Sequence, residues 1–325
     1  MAKISKNKTE SVSIKDFGSV LGRIKEGMGE FAAVIKDADV MSNYLFVLPA
    51  FLLFVVFGLY PFFKVFQLST MSWDGLSSYM TFVGMQNFKE VFSDKVWWAS
   101  VMNASWITFL ALTIQNGMAL ILALMCAKDI RGGHVYRVIF YLPPVLSGIV
   151  IGLIWKWIFR YPDGILNFAL VKMGMQYLVR DWLSDPATAL NAVAVIHMWR
   201  GFGWGFVILL AGLQNIPQQI YEAARVDGAN PWHRFIYITV PLMIPVFILV
   251  SILTILGSMQ IYDIIVATTN GGPSYHTEVP VTRILASMQG AGRFGYACAQ
   301  GIVFGVILLA VSMIQLWMSK KMKQE

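Results

Sequence analysis

Residues 235–260 read FIYITVPLMIPVFILVSILTILGSMQ, with no Asp, Glu, Lys or Arg in the run. An α-helix needs about 20 such residues to cross the hydrocarbon core of a bilayer. A surface helix of a soluble domain would show a polar face every turn, and this run has none. Pro241 and Pro245 would break an isolated helix. In a membrane bundle, neighbouring helices re-satisfy the freed backbone groups. The run therefore reads as a membrane span.

Five further runs of this kind flank it. They cover Tyr44 to Leu68, Ala99 to Ala127, Val138 to Phe159, Ala189 to Leu213, and Tyr296 to Met318. The first carries Pro49, Gly58 and Pro61, and the third carries Pro143 and Pro144. Of the 325 residues, 57% are hydrophobic and only 13% charged, where a soluble domain holds about a quarter charged. Mean hydropathy is +0.62. The expected fold is an all-α membrane protein of six transmembrane helices. Residues 42–325 form one membrane domain, preceded by a basic arm over 1–41. That arm has no short apolar core ending at a small-residue cleavage site, so it does not read as a signal peptide.

Six spans put both ends on one side. If that side is the inner one, segments 1–41, 128–137, 214–234 and 319–325 hold 15 Lys/Arg, and the outer segments hold 7. Basic residues favour the cytoplasmic side, so both termini are expected there. The net charge of +7 follows from this topology signal and does not indicate nucleic acid. No basic patch is interleaved with aromatics in a polar domain.

The loop before the quoted run is unlike a plain linker. It reads NIPQQIYEAARVDGANP over 215–231. Pro217 can open a helix, since its missing N–H costs nothing in the first turn. Gln218 to Val226 is a helix-forming run, and Gly228 supplies a left-handed cap. Asn230 and Pro231 restart a second helix, Trp232 to Thr239, as N-cap and first residue. Ala223 and Ala224 are small, so a partner can approach closely, and Glu222 puts a negative charge beside them. The pattern suits a helix that docks into a groove.

Glu222-Ala223-Ala224, Asp227-Gly228-Ala229, then Phe235, Ile238 and Pro241 resemble the EAA signature of bacterial ABC-importer permeases. Trp199-Arg200-Gly201 through Leu213-Gln214, and Thr269-Asn270-Gly271-Gly272-Pro273, resemble the carbohydrate-uptake permeases of the maltose type. The resemblance spans roughly 42–318. It implies that the loop at about 215–234 is a cytoplasmic coupling helix seated in an ATPase subunit. Glu222 would pair there with a basic group, and Gly228 would allow the turn. The implied partners are a second homologous permease, a dimer of cytoplasmic ATPases and an extracytoplasmic solute-binding protein. The implied location is the bacterial inner membrane.

The same resemblance points to a solute pocket on the fourth and fifth spans, at His197, Arg200, Gly201, Thr254, Ser258 and Ile261. His197 and Gly201 share a helix face, as do Thr254 and Ser258; His197 reads equally as a hydrogen-bonded core residue. A sugar site needs hydrogen-bonding groups, since an apolar wall cannot replace the solute's water. Ile261 departs from the polar residue expected at its position. Arg200 is open to two readings: it binds an anionic sugar, or it pairs with a carboxylate or backbone carbonyls. Asn103, Gln115 and Asn116 on the second span read more readily as interhelical hydrogen-bonding groups.

The chain has no G-x-x-x-x-G-K-[ST] phosphate loop, so ATP and magnesium belong to a partner and the chain itself is not read as an enzyme. Cys126, Cys298 and the four histidines lack metal-ligand spacing. An ion-coupled transporter would carry acids within its spans, which hold almost none. A lipid-acting enzyme would show an interfacial polar cluster, and none can be assembled. A permease for a non-sugar solute is the nearer alternative.

Overall fold

The computed structural model describes residues 38–127 and 132–322. Most of the basic arm expected over 1–41, and part of the basic stretch 128–137, lie outside the described residues. In chain order the first half contains α1 (Ser42–Ser69), α2 (Gln86–Ser93), α3 (Lys95–Cys126), α4 (Gly133–Val145), α5 (Gly148–Ile158) and α6 (Ile165–Lys172). The second half contains α7 (Ala189–Gln214), α8 (Gln218–Val226), α9 (Pro231–Met259), α10 (Asp263–Thr268), α11 (Pro280–Leu285) and α12 (Phe294–Met322). A two-residue antiparallel hairpin, β1 (Met71–Ser72) with β2 (Thr81–Phe82), links α1 to α2.

Five of these helices, α1, α3, α7, α9 and α12, are long and apolar enough to cross a membrane. Their bounds lie within a few residues of the runs read from the sequence. The third run differs. In place of one helix over 138–159 it forms α4 and α5, which meet at a bend of 98°. The cause is local. Pro143 and Pro144 remove two N–H donors from the last turn of α4. Leu146 is then extended (ψ 144°), and α5 restarts after Ser147. Glycines let the bent pair pack closely. A Cβ on Gly203 of α7 would lie 2.7 Å from the Pro144 ring, and one on Gly152 would lie 2.6 Å from Ala267 of α10.

Contacts divide the chain at Lys64. In the first unit, Phe46, Phe57 and Tyr60 of α1 are exposed. The second unit holds the core, built around α7. On one side Ala119 and Ala123 of α3, one turn apart, face Phe206, Leu209 and Leu213 of α7, with Met243 and Val250 of α9 closing the cluster. Small residues let helix backbones approach, which is how membrane helices gain packing energy when lipid offers no hydrophobic drive. The other cluster joins Trp97, Val101 and Ile107 of α3 to Val193 and Ile196 of α7, Ile264 and Ile265 of α10, and Ala299 and Val303 of α12.

Two of the prolines within spans are accommodated in the same way. Val55–Leu59 and Phe235–Thr239 are π segments, and each ends two residues before a proline, Pro61 and Pro241. A proline ring clashes with the carbonyl four residues back. Widening the helix by one residue moves that carbonyl away and keeps the span continuous.

At one end of the bundle Asp94 ties three helices. It caps α3 by accepting from the Val96 and Trp97 N–H groups, and it accepts from the Tyr296 hydroxyl of α12 at 2.7 Å. Arg283 of α11 lies 3.9 Å away. Partial burial pushes the Asp94 carboxyl up, but the Tyr296 hydroxyl, the two N–H groups and Arg283 outweigh it, so it sits below the usual carboxylate value.

Candidate functional site

Spans α7 and α9 face each other across a cavity of about 440 Å³, with α3 forming the third wall. From α7 come His197, Arg200, Gly201 and Trp204, and from α9 come Leu253, Thr254, Gly257 and Ser258. An adjoining hollow of about 640 Å³ shares His197, Arg200, Leu253 and Gly257 and extends past the end of α9 to Gln260, Tyr262 and Asp263. The helical period explains the α7 face, since 197, 201 and 204 recur every three to four residues.

The polar groups are held in place by one another. His197 Nε2 and Ser258 Oγ share a hydrogen bond of 2.8 Å across the α7–α9 gap. The Thr254 hydroxyl donates to Asn116 Oδ1 of α3 at 3.1 Å. Arg200 Nη1 donates to Asp263 Oδ2 at 2.7 Å. Asp263 begins α10, where its own carboxylate also accepts the Ile264 N–H. The pair rests on Gly148 at the start of α5, because a Cβ there would collide with the Asp263 carboxylate and the Arg200 guanidinium. The bend between α4 and α5 thus brings a glycine backbone under the ion pair.

Gln115 of α3 ends a π segment, Ala111–Gln115. It is 4% exposed and lines the cavity, and its Oε1 has no hydrogen-bond partner in the protein. It lies against Gly201, where a Cβ would collide with the carboxamide. A buried acceptor left unpaired costs free energy.

Five of the six pocket residues expected from the sequence, His197, Arg200, Gly201, Thr254 and Ser258, come together in this cavity. Ile261 instead belongs to the apolar core and touches only the adjoining hollow. Of the two readings of Arg200, the structure shows the carboxylate partner. Sequence reading missed Asp263 and Trp204, and it gave Gln115 an interhelical role. Nothing local marks Asp263, which is 63 residues from Arg200. Asn116 does bridge helices, and Asn103 donates to the Glu278 carbonyl at 2.9 Å.

The second element of interest is α8. Its C-terminus closes as the sequence predicts. Gly228 has φ +78°, its N–H bonds the Arg225 carbonyl, and the Ala229 N–H bonds the Ala224 carbonyl at 2.9 Å. This pair of bonds is the Schellman arrangement. Asn230 caps the next helix by accepting from the His233 N–H at 2.8 Å. That helix does not stop at Thr239; it is α9, which runs on through the π segment to Met259. Glu222, Ala223, Asp227 and Gly228 are exposed, while Ala224 and Ala229 are half-buried. None of the nine residues of α8 is buried.

Residues 117–324 match the family described as the binding-protein-dependent transport system inner membrane component. The chain belongs to that family. A probable ABC transporter permease protein of Bacillus subtilis, YurN, is 32% identical to this inner membrane component over 284 residues, covering 87% of this chain and 97% of its own. The lactose transport system permease protein LacF of Rhizobium radiobacter is 30% identical over 287 residues, covering 87% and 95%. Among solved structures, a bacterial ABC transporter involved in the import of the acidic polysaccharide alginate is alike in fold. It has a TM-score of 0.78 and 21% identity, covering 90% of this chain and 99% of its own.

Proposed function

We propose that this inner membrane component is the permease subunit of an ATP-driven importer and moves an oligosaccharide through the cavity between α7 and α9. The observation that carries the reading is the cavity wall itself. It combines hydrogen-bonding groups (Gln115, His197, Thr254, Ser258) with the exposed aromatic face of Trp204, which is what a sugar requires in exchange for its water. The lactose and alginate systems among its relatives support a carbohydrate. Asp263 balances Arg200, so this ion pair adds no net charge to the wall and favours a neutral sugar. An acidic sugar would have to separate the pair.

In this reading α8 is a coupling helix on the cytoplasmic side, as are both termini. Glu222, Ala223, Ala224, Asp227, Gly228 and Ala229 meet an ATPase subunit that binds ATP and magnesium. A second permease completes the pathway, and a solute-binding protein delivers the sugar from outside. Closure of the ATPases moves α8, the bundle opens outward, and hydrolysis resets it. This is alternating access by a bistable bundle.

The test is to purify the tagged chain with the products of its neighbouring genes in mild detergent. A second multi-span chain and a P-loop ATPase should co-purify, and Glu222→Lys should release the ATPase. A chain that purifies alone and moves solute without ATP overturns the reading.

A further inference from the structure

α8 buries none of its residues, so apolar packing holds it only weakly. A directional contact does more. The Tyr221 and Thr239 hydroxyls lie 2.9 Å apart. Thr239 is buried, at 4% exposure, and is the last residue of the π segment in α9. Its hydroxyl also reaches the Arg234 carbonyl, at 3.4 Å. A hydroxyl carries one hydrogen. If Thr239 donates it to the carbonyl, its lone pair is free to accept from Tyr221. The order Tyr221 O–H to Thr239 O–H to Arg234 carbonyl is therefore consistent throughout.

The place of this contact matters. Val240–Met259 continues from Thr239 as one α-helical segment, and it carries Thr254 and Ser258 in the cavity wall. Fifteen residues of helix separate Thr239 from Thr254, about 22 Å at 1.5 Å each. A packed helix moves as a body, whereas a π segment is a point where helix geometry can adjust. A push on α8 delivered through Tyr221 therefore enters α9 where the π segment gives way to the packed α-helical segment, on the N-terminal side of Pro245.

We propose that Tyr221 and Thr239 are a positioning pair that hands movement of the coupling helix to the solute cavity. This rests on the reading of α8 given above. Neither residue touches solute or nucleotide; both act through the helices they join.

The test uses the whole complex in nanodiscs, with Cys126 and Cys298 replaced by Ala and Leu253→Cys as a reporter in the cavity wall. The readout is labelling of this chain by a membrane-impermeant maleimide, with and without Mg-ATP and vanadate. Thr239→Val removes only the hydroxyl and Tyr221→Phe only its partner, whereas Thr239→Ser keeps the hydrogen bond. We expect the nucleotide-driven shift between the two states to fall about fivefold in Val and Phe, the effect of one net hydrogen bond, and to be retained in Ser, with the ATPase still bound. Shifts equal to the parent in Val and Phe overturn the link. So does a loss in Ser, which would assign the effect to packing of the methyl group. Should Thr239→Val not assemble, Tyr221→Phe on the poorly buried helix decides alone. If the parent shows no shift and Glu222→Lys keeps its ATPase, the coupling reading has failed and the link falls with it.

Discussion

Asp263→Asn preserves the side-chain shape and an oxygen for the Ile264 N–H, but removes the charge opposite Arg200. The charged atoms are 2.7 Å apart, and the side chains are 31% and 34% exposed. At an effective dielectric of about 20 such charges attract by roughly 6 kcal/mol, and in bulk water by about 1.5 kcal/mol. Desolvation of both groups takes back most of the larger figure, and the exposed third of each side chain screens the rest. The expected net loss is about 1–3 kcal/mol, between an exposed pair and a fully buried one. At roughly 2–4 °C per kcal/mol, the melting temperature of the complex falls by about 2–12 °C. Arg200→Gln alone should also destabilise, because it leaves the partly buried Asp263 carboxylate without its cation. The double variant should recover about 1–2 kcal/mol relative to the sum of the singles. The assay is a thermal melt of the purified complex, read by intrinsic Trp fluorescence, for all four members of the cycle. Strict additivity of the two singles, within about 0.3 kcal/mol, would refute the ion pair and return Arg200 to the solute as a free cation.

Gln115→Met should leave stability unchanged or raise it, because an unpaired buried oxygen acceptor is removed. It should weaken solute transport about tenfold, the loss of roughly one hydrogen bond to the sugar, seen as a higher KM for uptake with little change in ATPase assembly. Gly228→Ala should strain the α8 turn, whose φ is +78°, at a cost of about 1–2 kcal/mol, and lower the amount of ATPase that co-purifies; full retention would argue that α8 does not dock. Asp94 predicts an acid-sensitive clamp. Its folded value lies below its unfolded value of 3.8, so its contribution is fully present above that value and is lost as pH falls below it. The stability gap between the parent and Asp94→Asn, measured by thermal melts from about pH 6 downward, should therefore narrow in acid. A constant gap would assign the clamp to hydrogen bonding alone.

Much of the candidate site was legible because it lies on helices. The period of 3.6 residues places His197 and Gly201 on one face of α7, and Thr254 and Ser258 on one face of α9, without reference to any neighbour. The α8 turn was legible for a similar reason: Pro217, Gly228, Asn230 and Pro231 each act on their own backbone. The partners were not legible. Arg200 finds Asp263, Thr254 finds Asn116, and Gly201 makes room for Gln115, and no local rule specifies which helices face each other. The third span shows the same limit. Its prolines account for the break between α4 and α5, but the neighbours that the two halves meet after the 98° bend are admitted by Gly148, Gly152 and Gly203.

Sequence alone therefore determined the membrane class, the number and bounds of most apolar spans, and the capped helix between α7 and α9. Each follows from transfer of apolar residues into lipid and from backbone hydrogen bonding within a few residues. The tertiary structure decided how the bent third crossing packs, the neutralisation of Arg200, the unpaired acceptor of Gln115 and the tether from Tyr221 to Thr239. The tether joins residues 18 positions apart and the ion pair residues 63 apart. Such contacts exist only once helix packing, governed by shape and small residues, has chosen which faces meet.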